Sequence, residues 1–315
     1  MHILILGAGA MGSLLGARLS RTECRVTLLS TNRAHMDAIR QRGLTVEELD
    51  GTLRQYNLPS FHDHRAIREP ADLVMITVKT YDTQEAVTST QACCHASTLF
   101  LTLQNGIGNW ERISALVGKQ SVLAGITAQG CTLVEPGRVR HGGNGPTHIG
   151  EFQGPATERV LSVVELFRKA QLETHASDQV QQLVWEKLLV NVGINAITAL
   201  TGIRNGMVAK QESGREVCKA AVEEAMRVAR ARGFTVWDDM VERVLSVARA
   251  TAVNRSSMGQ DVDRRQQTEI DAINGAVVRF AEEASIAVPV NRALTQLVKL
   301  LEAGYLGNPA GAARV

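Results

Sequence analysis

The segment Gly7-Ala8-Gly9-Ala10-Met11-Gly12 constrains the fold of this chain more than any other stretch. It directly follows an apolar run of strand length, His2-Leu6, and leads into a helix-like segment, Met11-Ser20, with a second strand-like run at Arg25-Leu29. In a βαβ unit the first glycine permits the tight turn, the second lets a pyrophosphate approach the backbone, and the third lets helix and strand pack closely. The phosphates then meet the positive end of the helix. A glycine motif alone is weak, but strand, turn, helix and second strand in this order make a dinucleotide site the better reading than an ordinary glycine-rich turn.

Further apolar runs recur at Leu73-Val78, Thr98-Leu103 and Ser121-Thr127, separated by helix-like segments at Arg33-Arg42, Thr83-Thr90 and Trp110-Val117. That alternation predicts a parallel sheet wound with helices. Arg138-Arg140 and Thr147-Phe152 predict an antiparallel hairpin around Gly142-Gly143-Asn144-Gly145. Residues 156 to 288 then contain no proline, so long helices are permitted there. A chain of 315 residues has room for about two domains. The boundary is placed near Ser177-Asp178, where Asp178 is a candidate N-cap, giving a Rossmann domain over 1–177 and a helical domain over 178–315. The fold class expected is α/β: an N-terminal Rossmann-type doubly wound sheet with a C-terminal all-α domain.

Charge and cysteine usage narrow the function. Lys+Arg 34 against Asp+Glu 32 leaves +2, which provides no broad basic field for nucleic acid or an anionic membrane, so a small-molecule substrate is expected. Five cysteines form no C-x-x-C pair, which reads as a reduced, cytoplasmic chain without structural zinc. The start MHILILGAGAMG has no Lys or Arg ahead of its apolar stretch and is not read as a signal peptide. His62-Asp63-His64 is the densest group of metal-ligand types and reads as solvated loop, so no metal is expected.

Several polar residues stand where an α/β enzyme places its chemistry. After the second strand the chain has Ser30 in place of the acidic residue of an NAD site, followed by Arg33; that pair favours a 2′-phosphate and hence NADPH/NADP. Lys79 and Asn105 follow the third and fourth apolar runs, at the strand ends where open sheets bind ligands. Further on, Lys187, Asn191 and Asn195 fall at i, i+4 and i+8, one polar stripe on an otherwise apolar helix. Polar groups in such surroundings need partners, either neighbouring helices or a substrate. In Ser256-Ser257-Met258-Gly259-Gln260-Asp261, Ser257 with Gln260 matches a capping box, and Glu269 reads as a carboxylate on the helix that follows.

Taken together, GAGAMG, VK at 78–79, QNGIGN at 104–109, WEKLLVNVGINAITAL at 185–200, SSMGQD at 256–261 and TEIDAINGAV at 268–277 resemble the ketopantoate reductase (2-dehydropantoate 2-reductase) family, in its order and over nearly the whole chain. The resemblance implies NADPH-dependent reduction of ketopantoate to pantoate, on the route to pantothenate and coenzyme A. It implies Lys187 as proton donor, with Glu269 closing the site. Asn191, Asn195, Asn205 and Ser257 would hold the substrate. Gly7, Ala8, Gly9, Ala10, Met11, Gly12, Arg33, Lys79, Asn105 and Cys131 would hold the cofactor, Cys131 through its backbone. Two alternatives stay open: reduction of another 2-oxo or 3-hydroxy acid, and a non-catalytic NADP sensor. A homodimer is compatible with the family.

Overall fold

The computed structural model describes residues 1–307. It divides into two compact units, Met1–Gln104 with Gly108–Gln181, and Asn105–Ile107 with Gln182 onward.

In the first unit, β1 (His2–Leu6), α1 (Ala10–Leu19), β2 (Arg25–Leu29) and α2 (Arg33–Arg42) follow one another as the glycine motif requires. Strands β3 (Leu44–Glu47), β4 (Leu53–Tyr56) and β5 (Ser60–Phe61) come next, then β6 (Ala71–Ile76), α3 (Thr83–Thr90), β7 (Cys94–Thr102), α4 (Asn109–Val117) and β8 (Val122–Thr127). The unit finishes with β9 (Gly130–Glu135), β10 (Arg138–Gly143), β11 (Thr147–Gly150), α5 (Glu158–Lys169) and β12 (Thr174–Ala176). The main sheet runs β12-β11-β8-β7-β6-β1-β2-β5, parallel except where β11 meets β8. All five residues of β1 are buried. They alternate between two cores, Ile3 and Ile5 facing one and Leu4 and Leu6 the other, as in a central strand covered on both faces. The chain winds one way from β1 to β2 and the other way from β6 to β8, which makes the adjacent C-terminal ends of β1 and β6 the switch point at which such sheets bind ligands.

The expected hairpin between Arg138-Arg140 and Thr147-Phe152 is not formed. β10 instead turns back on β9 through Pro136-Gly137, where Gly137 takes φ +84°, and joins a separate sheet ordered β4-β3-β10-β9. β11 belongs to the main sheet. The small sheet is easily missed because β9 is only half buried, so no apolar alternation marks it.

The second unit is helical: α6 (Val180–Thr201), which enters it at Gln182, α7 (Asn205–Lys210), α8 (Glu212–Ala231), α9 (Met240–Ala250), α10 (Ser257–Asp263), α11 (Asn274–Glu283) and α12 (Pro289–Leu306). By length and composition α6 is apolar enough to cross a membrane, yet Leu188, Leu189, Val192, Ala196 and Ile197 are buried in this unit's core. At Gly193 a Cβ would lie 2.7 Å from Val244, 2.8 Å from Val222 and 3.0 Å from Cys218 Sγ, so only glycine lets α8 and α9 approach α6 this closely. Glu224 of α8 is buried and caps α12: its carboxylate accepts the backbone N–H groups of Val290 (3.0 Å) and Asn291 (2.9 Å) and the Asn291 side-chain amide (2.9 Å). Asn291 Nδ2 also donates to Ala221 O at 2.9 Å, closing the link to α8. Asp178 lies two residues ahead of α6, and its carboxylate accepts the Ala156 N–H at 2.7 Å.

Candidate functional site

The glycine loop has the shape that a dinucleotide requires. Gly7 has φ +99°, and a Cβ there would sit 2.4 Å from Val78 N, so the turn must be glycine. A Cβ on Gly12 would lie 2.6 Å from Gly7 O and 2.9 Å from Ile5 Cγ2, which explains why helix and strand close up here. Gly9 differs: its Cβ would meet nothing nearer than Gly7 O at 4.0 Å, leaving the backbone open to a bulky group. The N-cap of α1 receives no side-chain hydrogen bond and the first turn holds no acidic residue. Ala8 is buried, while Ala10 and Met11 are partly exposed beside this opening. An uncapped helix start over a glycine with free space is a fit for a pyrophosphate.

Neighbouring strand ends complete the first unit's part. The N–H groups of Gly7 and Ala8 both donate to Leu29 O at 2.9 Å, which sets the loop against the end of β2. Beyond it Ser30 Oγ accepts the Asn32 N–H, Asn32 caps α2 through the His35 N–H, and Arg33 is exposed in the first turn. Lys79 lies three residues past β6, just beyond the Val78 that abuts Gly7. Gln104 fixes this strand end: its amide donates to Val78 O (2.9 Å) and Thr83 Oγ1 (2.8 Å). Cys131 sits in β9 opposite His141, and burial pushes its thiol up to about 12, so it remains a neutral thiol.

A buried relay supports the loop from below. Gly137 N–H donates to His35 Nδ1 at 2.9 Å, which leaves the ring proton on Nε2 to meet Ser13 Oγ at 2.9 Å; Ser13 in turn reaches Ala8 O at 3.4 Å. Burial pushes His35 down to about 4, so the link stays neutral. Sequence reasoning missed Gln104, Ser13 and His35; of these only Gln104, beside Asn105 at a strand end, carried a local signal.

The second unit gathers the remaining polar residues. Lys187, Asn191 and Asn195 lie along α6 as the spacing predicts. Lys187 is partly exposed, yet the protein packed around its ammonium pushes it down to about 8, while the nearby Glu269 carboxylate works in the opposite direction. Glu269 itself is buried, and it lies outside the helix expected for it: it caps a single 3-10 turn, Ile270–Ala272, that precedes α11. Asn105 also belongs to this unit. Gly106 has φ +78° and its Cβ would lie 2.5 Å from Ala272 O, while the Ile107 N–H donates to the same carbonyl at 3.2 Å. Residues 105–107 therefore rest on the turn that begins at Glu269.

The SSMGQD loop differs from its expected cap by one residue. Ser256, not Ser257, caps α10, accepting the Gly259 N–H at 2.9 Å, and Gln260 donates to Arg255 O. Ser257 is left exposed, with Asn195 Nδ2 at 3.5 Å. Asn205 is buried; its amide nitrogen donates to Thr251 Oγ1 at 3.0 Å, but its amide oxygen has no partner among the described residues. A buried acceptor without a donor suits a ligand hydroxyl or amine. His62-Asp63-His64 forms no comparable site: the Asp63 carboxylate is held by Arg65.

A doubly wound sheet with an open glycine loop, followed by a helical unit carrying a depressed lysine, a buried carboxylate and several amides, fits the class of two-unit dinucleotide-dependent enzymes. Comparison with known proteins narrows the class. The model of the family Ketopantoate reductase PanE/ApbA matches residues 3–154, and that of its C-terminal domain matches residues 179–302. A 2-dehydropantoate 2-reductase of Halobacterium salinarum is 42% identical over 302 residues, covering 96% of this chain and 99% of the relative. The crystal structure of a PanE/ApbA family ketopantoate reductase from Ralstonia eutropha superposes with a TM-score of 0.89 at 33% identity, covering 97% of this chain and 100% of the other. A D-mandelate dehydrogenase solved with NADH and anilino(oxo)acetate gives 0.89 at 25% identity with the same coverage. The chain belongs to the ketopantoate reductase family.

Proposed function

We propose that this protein reduces ketopantoate to pantoate, with NADPH as the preferred reductant, in the cytoplasmic route to pantothenate and coenzyme A. The observation that carries the reading is the lysine on α6, pushed down to about 8 and opposed by a buried carboxylate, on a helix that also bears Asn191 and Asn195. The reduced nicotinamide supplies the hydride when bound. Gly7 to Gly12, Arg33, Lys79, Asn105 and the backbone at Cys131 would hold that cofactor, with Arg33 meeting a 2′-phosphate. Lys187 donates a hydrogen bond to the ketone oxygen, stabilises the charge that develops there and transfers its proton from Nζ. Glu269 keeps the ammonium charged until that transfer. Asn191, Asn195, Asn205 and Ser257 orient the carboxylate and hydroxyl of the acid without adding charge.

A second reading, reduction of a different 2-oxo acid, is favoured by the likeness to D-mandelate dehydrogenase. The test is NADPH oxidation with a panel containing ketopantoate, phenylglyoxylate and aliphatic 2-oxo acids, repeated with NADH. Ketopantoate with the highest kcat/KM supports the first reading; another acid ahead of it by tenfold or more supports the second. No turnover of any member would refute both and return the chain to a nucleotide-binding sensor.

A further inference from the structure

We infer that Arg255, immediately ahead of the SSMGQD loop, is a positioning residue that sets Ser257 against Asn195 and so determines affinity for the oxo acid. The inference rests on the substrate roles proposed for Ser257 and Asn195. The Arg255 side chain is only 8% exposed although its partner Asp263 is 55% exposed. Every nitrogen of the guanidinium is engaged. Nε and Nη2 donate to the two Asp263 oxygens at 2.8 Å each, and Nη1 donates to Thr198 O at 2.5 Å and Ile203 O at 3.0 Å.

These contacts join two elements. Thr198 O lies in the last turn of α6 and Ile203 O just past its end, so the guanidinium neutralises the negative end of the helix that carries Lys187, Asn191 and Asn195. Asp263 is the last residue of α10, whose first residue is Ser257. Arg255 thus bridges from the end of α6 to the far end of α10, and α10 is held lengthwise. A second contact fixes its near end: Ser256 Oγ and Thr198 Oγ1 are 2.7 Å apart, both buried. Gly259 supplies the remaining condition. A Cβ there would fall 2.6 Å from Arg255 Cζ and 2.8 Å from Nε and Nη1, so the guanidinium lies flat against a backbone position that only glycine leaves open. With both ends of α10 tied to α6, Ser257 Oγ is left at 3.5 Å from Asn195 Nδ2. That spacing leaves two polar groups side by side, weakly engaged with each other and available to a shared ligand group.

Arg255 touches neither substrate nor cofactor in this account; it acts through Ser257 and Asn195. Lysine cannot replace it, because one ammonium cannot span a carboxylate and two carbonyls in a plane. The test measures KM for the oxo acid, kcat, and NADPH affinity by fluorescence in Arg255→Lys, Arg255→Ala and Asp263→Asn, with melting temperatures to verify folding. Misplacing a contact group by about 1 Å raises KM by about 10- to 100-fold in Arg255→Ala, with NADPH affinity unchanged. Asp263→Asn keeps the carbonyl contacts and gives a smaller rise, which covers the case in which Arg255→Ala fails to fold. A double-mutant cycle separates positioning from general loosening: Ser257→Ala costs much less in the Arg255→Lys background than in the parent. Folded variants with unchanged KM, or a cycle that is additive, overturn the inference. A parent that turns over no 2-oxo acid overturns the proposed function, and the inference with it.

Discussion

Raising the pH should switch off the reductive reaction well before an ordinary lysine would lose its proton. Burial pushes Lys187 down from 10.5 to about 8, so the proton it is proposed to supply leaves in the range of a mild assay. With a midpoint near 8, roughly 90% of the enzyme carries the proton at pH 7 and roughly 10% at pH 9, so kcat/KM for the oxo acid falls about tenfold between them and about tenfold again for each further pH step. A lysine at its usual value would remain more than about 95% protonated at pH 9, and the profile would be flat. The sign reverses in the oxidative direction: there the neutral amine must accept the proton, so pantoate oxidation rises through the same midpoint. Glu269 opposes the downward shift, so Glu269→Gln moves the midpoint below 8 and lowers the reductive rate at neutral pH. The assay is initial-rate NADPH oxidation at subsaturating oxo acid from pH 6 to 10, in one mixed buffer of constant ionic strength. A reductive profile flat to pH 10 would refute the lowered midpoint of Lys187, and an unchanged profile and rate in Lys187→Ala would remove it as the acid.

Three further outcomes are expected. Arg33→Ala lowers the preference for NADPH over NADH by about 1.5 to 3 kcal/mol, the contribution of a charge-assisted phosphate contact, as measured by binding titrations with both nucleotides; equal affinities in the parent would sink it. Gly12→Ala forces a methyl to within 2.6 Å of Gly7 O, costs about 1 to 3 kcal/mol of stability and abolishes tight nucleotide binding; a variant that binds NADPH normally would contradict the close helix–strand packing. Phe167→Ala, at a fully buried site in the first unit's core, lowers unfolding free energy in urea by about 3 to 5 kcal/mol while KM is retained; a loss under 1 kcal/mol would contradict the packing described.

Which features were legible depended on how local their causes are. The alternating strands and helices of the first unit could be read directly, because glycine spacing and short apolar runs act within a few residues: α2 and α3 occupy the segments expected for them. The β9–β10 hairpin was misread because its strands are half exposed and its turn lies at Pro136-Gly137, while the conspicuous Gly142-Gly143-Asn144-Gly145 run ends one sheet and leads into another. Residues Lys187, Asn191 and Asn195 were legible as a stripe because helical periodicity is local, and Glu269 was misplaced because a single 3-10 turn has no periodicity to detect. Arg255 was invisible: two of its acceptors, Thr198 O and Ile203 O, lie 57 and 52 residues away in the chain.

The cap that Glu224 places on α12 has a consequence for how the protein is made. A buried carboxylate is costly without its hydrogen-bond donors, and here they come from Val290 and Asn291, 66 and 67 residues downstream. Leu294 and Val298 of α12 also complete the core around α8. During synthesis α8 therefore leaves the ribosome with an acid that only water can satisfy on the face it must bury, and about 65 more residues must be translated before that face can close. At about 5 to 20 residues per second this is a delay of about 3 to 13 seconds before the Glu224 cap can form. Every strand and helix of the first unit is thus synthesised before the residues that close this face of α8.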